Sequence, residues 1–217
     1  MEGPGPRLLV VRHGETEENR VGVFQGQRGA GLNQVGRAQI AQLGARLAAV
    51  PIDGIWSSDL LRAHESASIL VASLPRAPLP TIQTDVRLRE VDVGAWTGLS
   101  FAEVEARFPE EWAAWRAGLD VPRGGAETYA ALARRVEEAL EDISRGMEGA
   151  GNVLVVSHGA AIKSVVARLL GMSVAGAQAM APMRNASVTV LQRRRGLARF
   201  QLVSWNDTSH LGDPLHE

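Results

Sequence analysis

Two stretches of the chain are apolar without interruption and then stop at polar residues. Leu8-Leu9-Val10-Val11 gives way to Arg12-His13-Gly14, and Val153-Leu154-Val155-Val156 gives way to Ser157-His158-Gly159. Runs without polar alternation suit inner strands of a parallel sheet covered on both faces by helices. Ile55-Trp56-Ser57-Ser58-Asp59 reads as another strand end, and a strand around Thr81 to Thr84 leads to Leu88-Arg89-Glu90. Segments of helical period lie between them. Asn33 caps a helix running to about Val50, and a helix from Leu60 to Leu74 is expected to bury Leu61, Ile69 and Leu70. The capping box Ser100 to Glu103 opens a helical region with a second start at Pro109. Its stripe Phe101, Val104, Phe108, Trp112, Trp115 is expected to pack as core against the sheet. A long helix from Thr128 carries Val136, Leu140 and Ile143 on one side, and a further helix spans Ala160 to Leu170. Ala186 to Gln192 and Leu197 to Trp205, joined by Arg193-Arg194-Arg195-Gly196, read as a β-hairpin. The segment Asn19 to Gly31 has neither period and is expected to be a loop across the mouth of a site.

Strands alternating with helices predict an α/β fold. The expected architecture is a three-layer sandwich: a mostly parallel central sheet, helices on both faces, a helical lid insertion at about 99–127 and a C-terminal β-hairpin. Residues 1–217 are expected to form one domain. In open parallel sheets ligands bind at the carboxyl ends of the strands. His13, Arg62, Glu90 and His158 all follow strand ends and should therefore meet there. Gly14 lets the backbone turn and approach a ligand, and the helix start near Glu15 offers amides to an anion. Arg62 in the first turn of its helix opposes the helix dipole, which hints at an anion beside it. Arginine, imidazole and exposed amides together describe a phosphate site. His64 points to another part of the same helix and is read as structural, and His210 and His216 lie in a polar tail with no catalytic part.

Composition narrows this picture. The chain has 23 basic and 24 acidic residues and net charge -1, so no global field gathers nucleic acid or anionic membrane, and the three consecutive arginines read as a solvated hairpin tip. With no cysteine, a thiolate nucleophile, thiolate metal sites and disulfides are excluded. Met1 to Pro6 lacks the basic and apolar regions of a signal peptide, so the cytoplasm is the expected location. No metal-ligand spacing is present, and no metal or other cofactor is expected.

The series Arg12-His13-Gly14-Glu15-Thr16 with Asn19, then Ser57-Ser58-Asp59-Leu60-Leu61-Arg62-Ala63, Leu88-Arg89-Glu90 with Gly94, Trp96 and Gly98, and Ser157-His158-Gly159 resembles the histidine phosphatase superfamily, its phosphoglycerate mutase-like branch. The resemblance covers nearly the whole chain, and the conjunction of motifs is specific where each alone is weak. It implies a phosphohistidine at His13, with Arg12, Arg62 and His158 around the phosphoryl group and Glu90 as proton donor. It further implies that Asn19 contributes a side chain, and the Phe24-Gln25-Gly26 segment backbone amides, to substrate binding beside Gly159. The expected partner is a small phosphate ester, and a homodimer stays open.

Imidazole can attack phosphorus in line while fixed cations meet the charge on the equatorial oxygens, without a metal. An alkoxide leaves poorly unless protonated, which is the task for Glu90, with Asp92 the less favoured alternative. Mutases of this branch carry Arg-His-Tyr-Gly after the catalytic glutamate, Gly-Leu-Asn-Lys and Trp-Arg-Arg. This chain has Glu90-Val91-Asp92-Val93-Gly94, Gly98-Leu99-Ser100-Phe101 and Trp115-Arg116-Ala117. The missing lysine, arginine and tyrosine favour a metal-independent phosphomonoester hydrolase over a phosphoglycerate mutase. A non-catalytic phospholigand-binding module is the alternative of another class, and retention of both His13 and Glu90 weighs against it.

Overall fold

The computed structural model describes residues 5–75, 81–193 and 199–212. Strands β1 (Arg7–Arg12), β2 (Gly54–Ser57), β3 (Ile82–Thr84), β4 (Asn152–Ser157), β5 (Val188–Arg193) and β6 (Phe200–Asp207) form one sheet in the order β3-β2-β4-β1-β5-β6. β3, β2, β4 and β1 run parallel, while β5 and β6 are antiparallel to their neighbours. β1 is central, paired with β4 on one side and β5 on the other. That position explains why Leu8 to Val11 carry no polar residue: alternate side chains enter opposite cores. Leu8 and Val10 pack with α6 (Tyr129–Gly146) and α7 (Gly159–Leu169), whose buried residues include Val136, Leu140, Ile162 and Val166. Leu9 and Val11 pack with α2 (Gln34–Leu47) and α3 (Leu61–Ala72), through Ile40, Leu43, Ala67 and Leu70. The expected sandwich, mostly parallel sheet and antiparallel C-terminal pair are thus present. The tip Arg194-Arg195-Gly196 and His216 lie outside the described residues.

Three local expectations are corrected. Leu61 is 61% exposed, because the buried face of α3 is set by Arg62, Ala63, Ser66, Ala67 and Leu70, spaced three and four apart, and Leu61 falls off that stripe. The start of the Asn19 to Gly31 segment is helical: α1 (Glu17–Val21) is closed by a reciprocal capping box between Thr16 and Asn19 and ended by Gly22 at φ 72°. Five residues are too few to show a period. Phe101 is 51% exposed rather than core, although its ring meets Phe24 at 4.8 Å and Trp112 at 6.1 Å.

The 99–127 region contains α4 (Phe101–Arg107) and α5 (Pro109–Arg116). Val104 is buried, and Phe108, Trp112 and Trp115 pack against the core on the α6–α7 side of the sheet. Their anchor is Trp96, fully buried and within 6.4 Å of the Phe24, Trp112 and Trp115 rings. No helix among the described residues is long and apolar enough to cross a membrane.

Candidate active site

Because β1 and β4 are parallel and in register at Arg12 and Ser157, the residues that follow them, His13 and His158, stand side by side. Their ring centroids are 5.1 Å apart, and both side chains are buried. His13 Nδ1 lies 2.7 Å from the Gly14 carbonyl oxygen. A carbonyl only accepts, so the proton sits on Nδ1 and the Nε2 lone pair is free. Burial, reinforced by Arg62 and Arg12, holds the His13 imidazole well below its ordinary pKa, and burial with Arg62, His13 and Arg12 does the same for His158. Both rings are therefore neutral near pH 7, the form a nucleophile requires.

Gly14 is needed for a reason other than a turn. A Cβ there would overlap the backbone of Gly36 in the first turn of α2, and one on Gly36 would overlap the Glu15 backbone. The two glycines let α2 press against the strand end and hold His13 in place. Ser66 of α3 completes the support, accepting from the Gly14 amide at 3.2 Å and donating to the Arg62 carbonyl at 2.7 Å.

The arginines reach the site from two elements. Arg62 is 2% exposed, and its terminal nitrogens donate to the carbonyls of Gly26 at 2.8 Å and Arg28 at 2.7 Å, which ties the loop after α1 to the site. Arg12 donates to the Met183 carbonyl, and a Cβ on Gly159 would sit 3.2 Å from Arg12 Nε. A side chain at 159 would therefore press on the Arg12 guanidinium. The Nε atoms of both arginines are buried without a hydrogen-bond partner among the described residues. A buried unpaired donor costs about 1–3 kcal/mol, more when charged, unless an anion meets it. Burial also lowers the Arg12 guanidinium to about 10, with Glu90 opposing that shift.

Glu90 closes the group from the third strand end. Its carboxylate accepts from the Ala160 and Ala161 amides at the N-terminus of α7, each at 3.2 Å, and from its neighbour Val91 at 2.8 Å. Its charge acts on both Arg12 and Arg62. The backbone before it is clamped by Arg135 of α6, which donates to the carbonyls of Arg87, Arg89 and Glu90 at 2.7–2.8 Å while Glu127 holds its other edge. Ser157 Oγ donates to the Leu88 carbonyl at 2.8 Å, so the strand end carrying His158 also holds the segment carrying Glu90.

His13, Arg12, Arg62, Glu90, His158 and Gly159 are thus brought together. The loop residues are more committed than expected. Asn19 Oδ1 accepts from the Thr16 amide and from Asn185 Nδ2 at 3.1 Å. Gln25 Nε2 donates to Thr16 Oγ1 at 2.7 Å and Glu18 at 2.8 Å. The Phe24 amide donates to the Leu99 carbonyl, so it is not a free donor to a ligand. Gly26, at φ 53°, offers Arg62 its carbonyl. Sequence reasoning missed Ser58, whose Oγ lies 2.9 Å from His158 Nε2, and the clamp Arg135. Ser58 sits in the quoted strand-end motif and was legible there. Arg135 is one of several charged residues along α6, and no local sequence signal marks it.

The chain is similar to known proteins over nearly its whole length. Residues 8–208 match the histidine phosphatase superfamily (branch 1). The chain is 34% identical over 216 residues to a metal-independent phosphoserine phosphatase of Arabidopsis thaliana, covering 97% of this chain and 85% of that protein. It is 33% identical over 218 residues to a glucosyl-3-phosphoglycerate phosphatase of Mycobacterium tuberculosis, covering 94% and 96%. The solved structure of Bacillus stearothermophilus YhfR superposes with a TM-score of 0.87 at 30% identity, covering 95% of this chain and 99% of that one.

Proposed function

Since the chain belongs to the histidine phosphatase superfamily, branch 1, and is a phosphatase of small phosphorylated metabolites, we infer that it works through a phosphohistidine on His13. The carrying observation is the Nδ1–Gly14 hydrogen bond, which leaves Nε2 unprotonated while the charges of Arg62 and Arg12 act on the ring. His13 Nε2 attacks phosphorus as the ester P–O bond breaks, and Glu90 as the carboxylic acid gives its proton to the departing oxygen. Arg12, Arg62 and His158 meet the charge on the equatorial oxygens. Glu90, now a carboxylate, then takes a proton from water as the water oxygen attacks phosphorus, and the P–N bond breaks to release phosphate. Every role is filled by a side chain, so no metal is required. Asn19 serves through its amide nitrogen, and Gln25 and Gly26 through their backbone. The chain acts as one catalytic unit with the 99–127 segment as its cover.

The test is an acid-labile phosphate on the His13 peptide after quenching turnover of p-nitrophenyl phosphate in the presence of EDTA. His13→Ala should lack the adduct and lose at least about 10³-fold in kcat/KM. Near-normal activity in that variant, or activity abolished by EDTA and restored by zinc or magnesium, overturns the reading.

A further inference from the structure

Beside the catalytic group lies a cavity of about 640 Å³, bounded by α5, α6, α7 and the 172–182 segment. No residue of the catalytic group lines it, but two of its wall residues adjoin that group. Ala160 lines it, and the Ala160 amide donates to Glu90. Pro182 lines it one residue before Met183, whose carbonyl holds Arg12. Its volume lies within the range of sites for drug-sized ligands and far exceeds what a three-carbon leaving group fills.

The lining is apolar in body and positive in charge. Trp115, Leu119 and Met172 supply apolar surface, while Arg116, Lys163, Arg168 and Arg199 supply cations, and no carboxylate lines it among the described residues. Arg168 is already paired with Glu137. Among the described residues Lys163 is not paired with an acid: its ammonium donates to the Met180 carbonyl at 2.8 Å and retains two further protons. Behind the Tyr129 wall, Arg123 is buried at 1% exposure with its guanidinium 3.3 Å from the ring centroid, and none of its three side-chain nitrogens has a hydrogen-bond partner among the described residues. The nearby Asp120 is spent capping α6 through the Tyr129 and Ala130 amides. The wall as a whole therefore presents a positive potential around an apolar floor.

We propose that this cavity is the leaving-group subsite and that it selects phosphate esters with an apolar stem ending in a second anion, which Lys163 receives. The assignment rests on the phosphatase reading above and deepens it. A charge-assisted hydrogen bond in a partly desolvated pocket corresponds to roughly a 10- to 100-fold preference.

The probes are two ladders of alkyl monophosphates of three to eight carbons, one ending in methyl and one in carboxylate, with phenyl phosphate run alongside. The quantity read is the ratio of kcat/KM between carboxylate and methyl esters of equal length, in which any misfolded fraction of a variant cancels. In the wild type it should rise with length to at least about tenfold beyond four carbons. It should fall to about one in Lys163→Met and persist in Lys163→Arg. A wild-type ratio at or below one at every length, or a ratio that Lys163→Met leaves unmoved, overturns the subsite. Phenyl phosphate separates the two readings: with its turnover intact such a result removes the subsite alone, whereas absence of turnover with every ester removes the phosphatase reading as well.

Discussion

At the scale of single residues, the sharpest question concerns Glu90. Its two oxygens face the amides at the start of α7, a place where a carboxylate could serve only to cap a helix. Acid catalysis makes a different demand, because the need for a proton grows with the basicity of the departing oxygen. Glu90→Gln keeps the shape and one acceptor but has no proton to give. It should slow formation of the phosphoenzyme by about 10²- to 10⁴-fold with an alkyl phosphate and much less with p-nitrophenyl phosphate, measured in single turnovers. Equal losses for both esters would leave Glu90 as a cap and make Asp92 the next acid to test. This residue was legible in the sequence as an acid after a strand end. Its hydrogen-bond partners, seventy residues further on, were not, since nothing local in Leu88-Arg89-Glu90 announces which helix will meet it.

At the scale of elements, the site depends on contacts between pieces whose sequences look ordinary. Arg135 grips the carbonyls of Arg87, Arg89 and Glu90 and is itself held by Glu127. Arg135→Met removes those bonds and leaves Glu127 with the Asp92 amide but without its cationic partner, so about 2–4 kcal/mol of stability should be lost in urea unfolding. Because the segment it clamps carries Glu90, kcat should also fall about 10- to 100-fold while KM changes little. A stability loss with kcat intact would make the clamp purely structural. The glycine pair makes a second case. Gly36→Ala drives a methyl group into the Glu15 backbone, and should cost at least about 2 kcal/mol together with most of the activity, since α2 must back away from the turn that holds His13. Activity and stability near wild type in that variant would show that α2 does not position His13.

At the scale of the whole molecule, two neutral imidazoles buried beside arginines make stability depend on pH. His13 and His158 in the folded chain bind protons well below the ordinary histidine range of about 6.5. The unfolded chain therefore takes up protons that the folded chain refuses, and the sign of the linkage is that stability rises with pH. The full contribution is present above about pH 6.5 and is lost as pH falls from there, with a slope of up to about 1.4 kcal/mol per pH unit for each imidazole. His210, also lowered by burial, adds in the same direction. Paired carboxylates such as Asp207, held at about 2 by Arg46, act only below about pH 4 and leave the window from 6.5 to 5 to the histidines. Urea midpoints between pH 7.5 and 5 should fall steeply in the wild type and less so in His158→Gln. A flat profile would mean that the folded chain takes up protons as readily as the unfolded one, so that burial leaves both imidazoles with their ordinary affinity.

Much of this protein could be read from short-range pattern alone. Leu8 to Val11 and Val153 to Val156 were recognisable as inner strands because burial on both faces excludes polar residues along the whole run. The parallel register that seats His13 beside His158 then follows from two similar strand ends in one sheet. Other properties belong to no single segment. The exposure of Leu61 was decided by which stripe of α3 meets the sheet, and the helix at Glu17–Val21 by a cap too short to leave a period. The near approach of Gly14 to Gly36, the Arg135 clamp, the commitment of Gln25 to Thr16 and Glu18, and the positive cavity around Lys163 each join residues distant in the chain. A sequence records the local preferences that make strands and helices, whereas the partner of a buried polar group is chosen by packing, which brings donors and acceptors together only once the layers have closed.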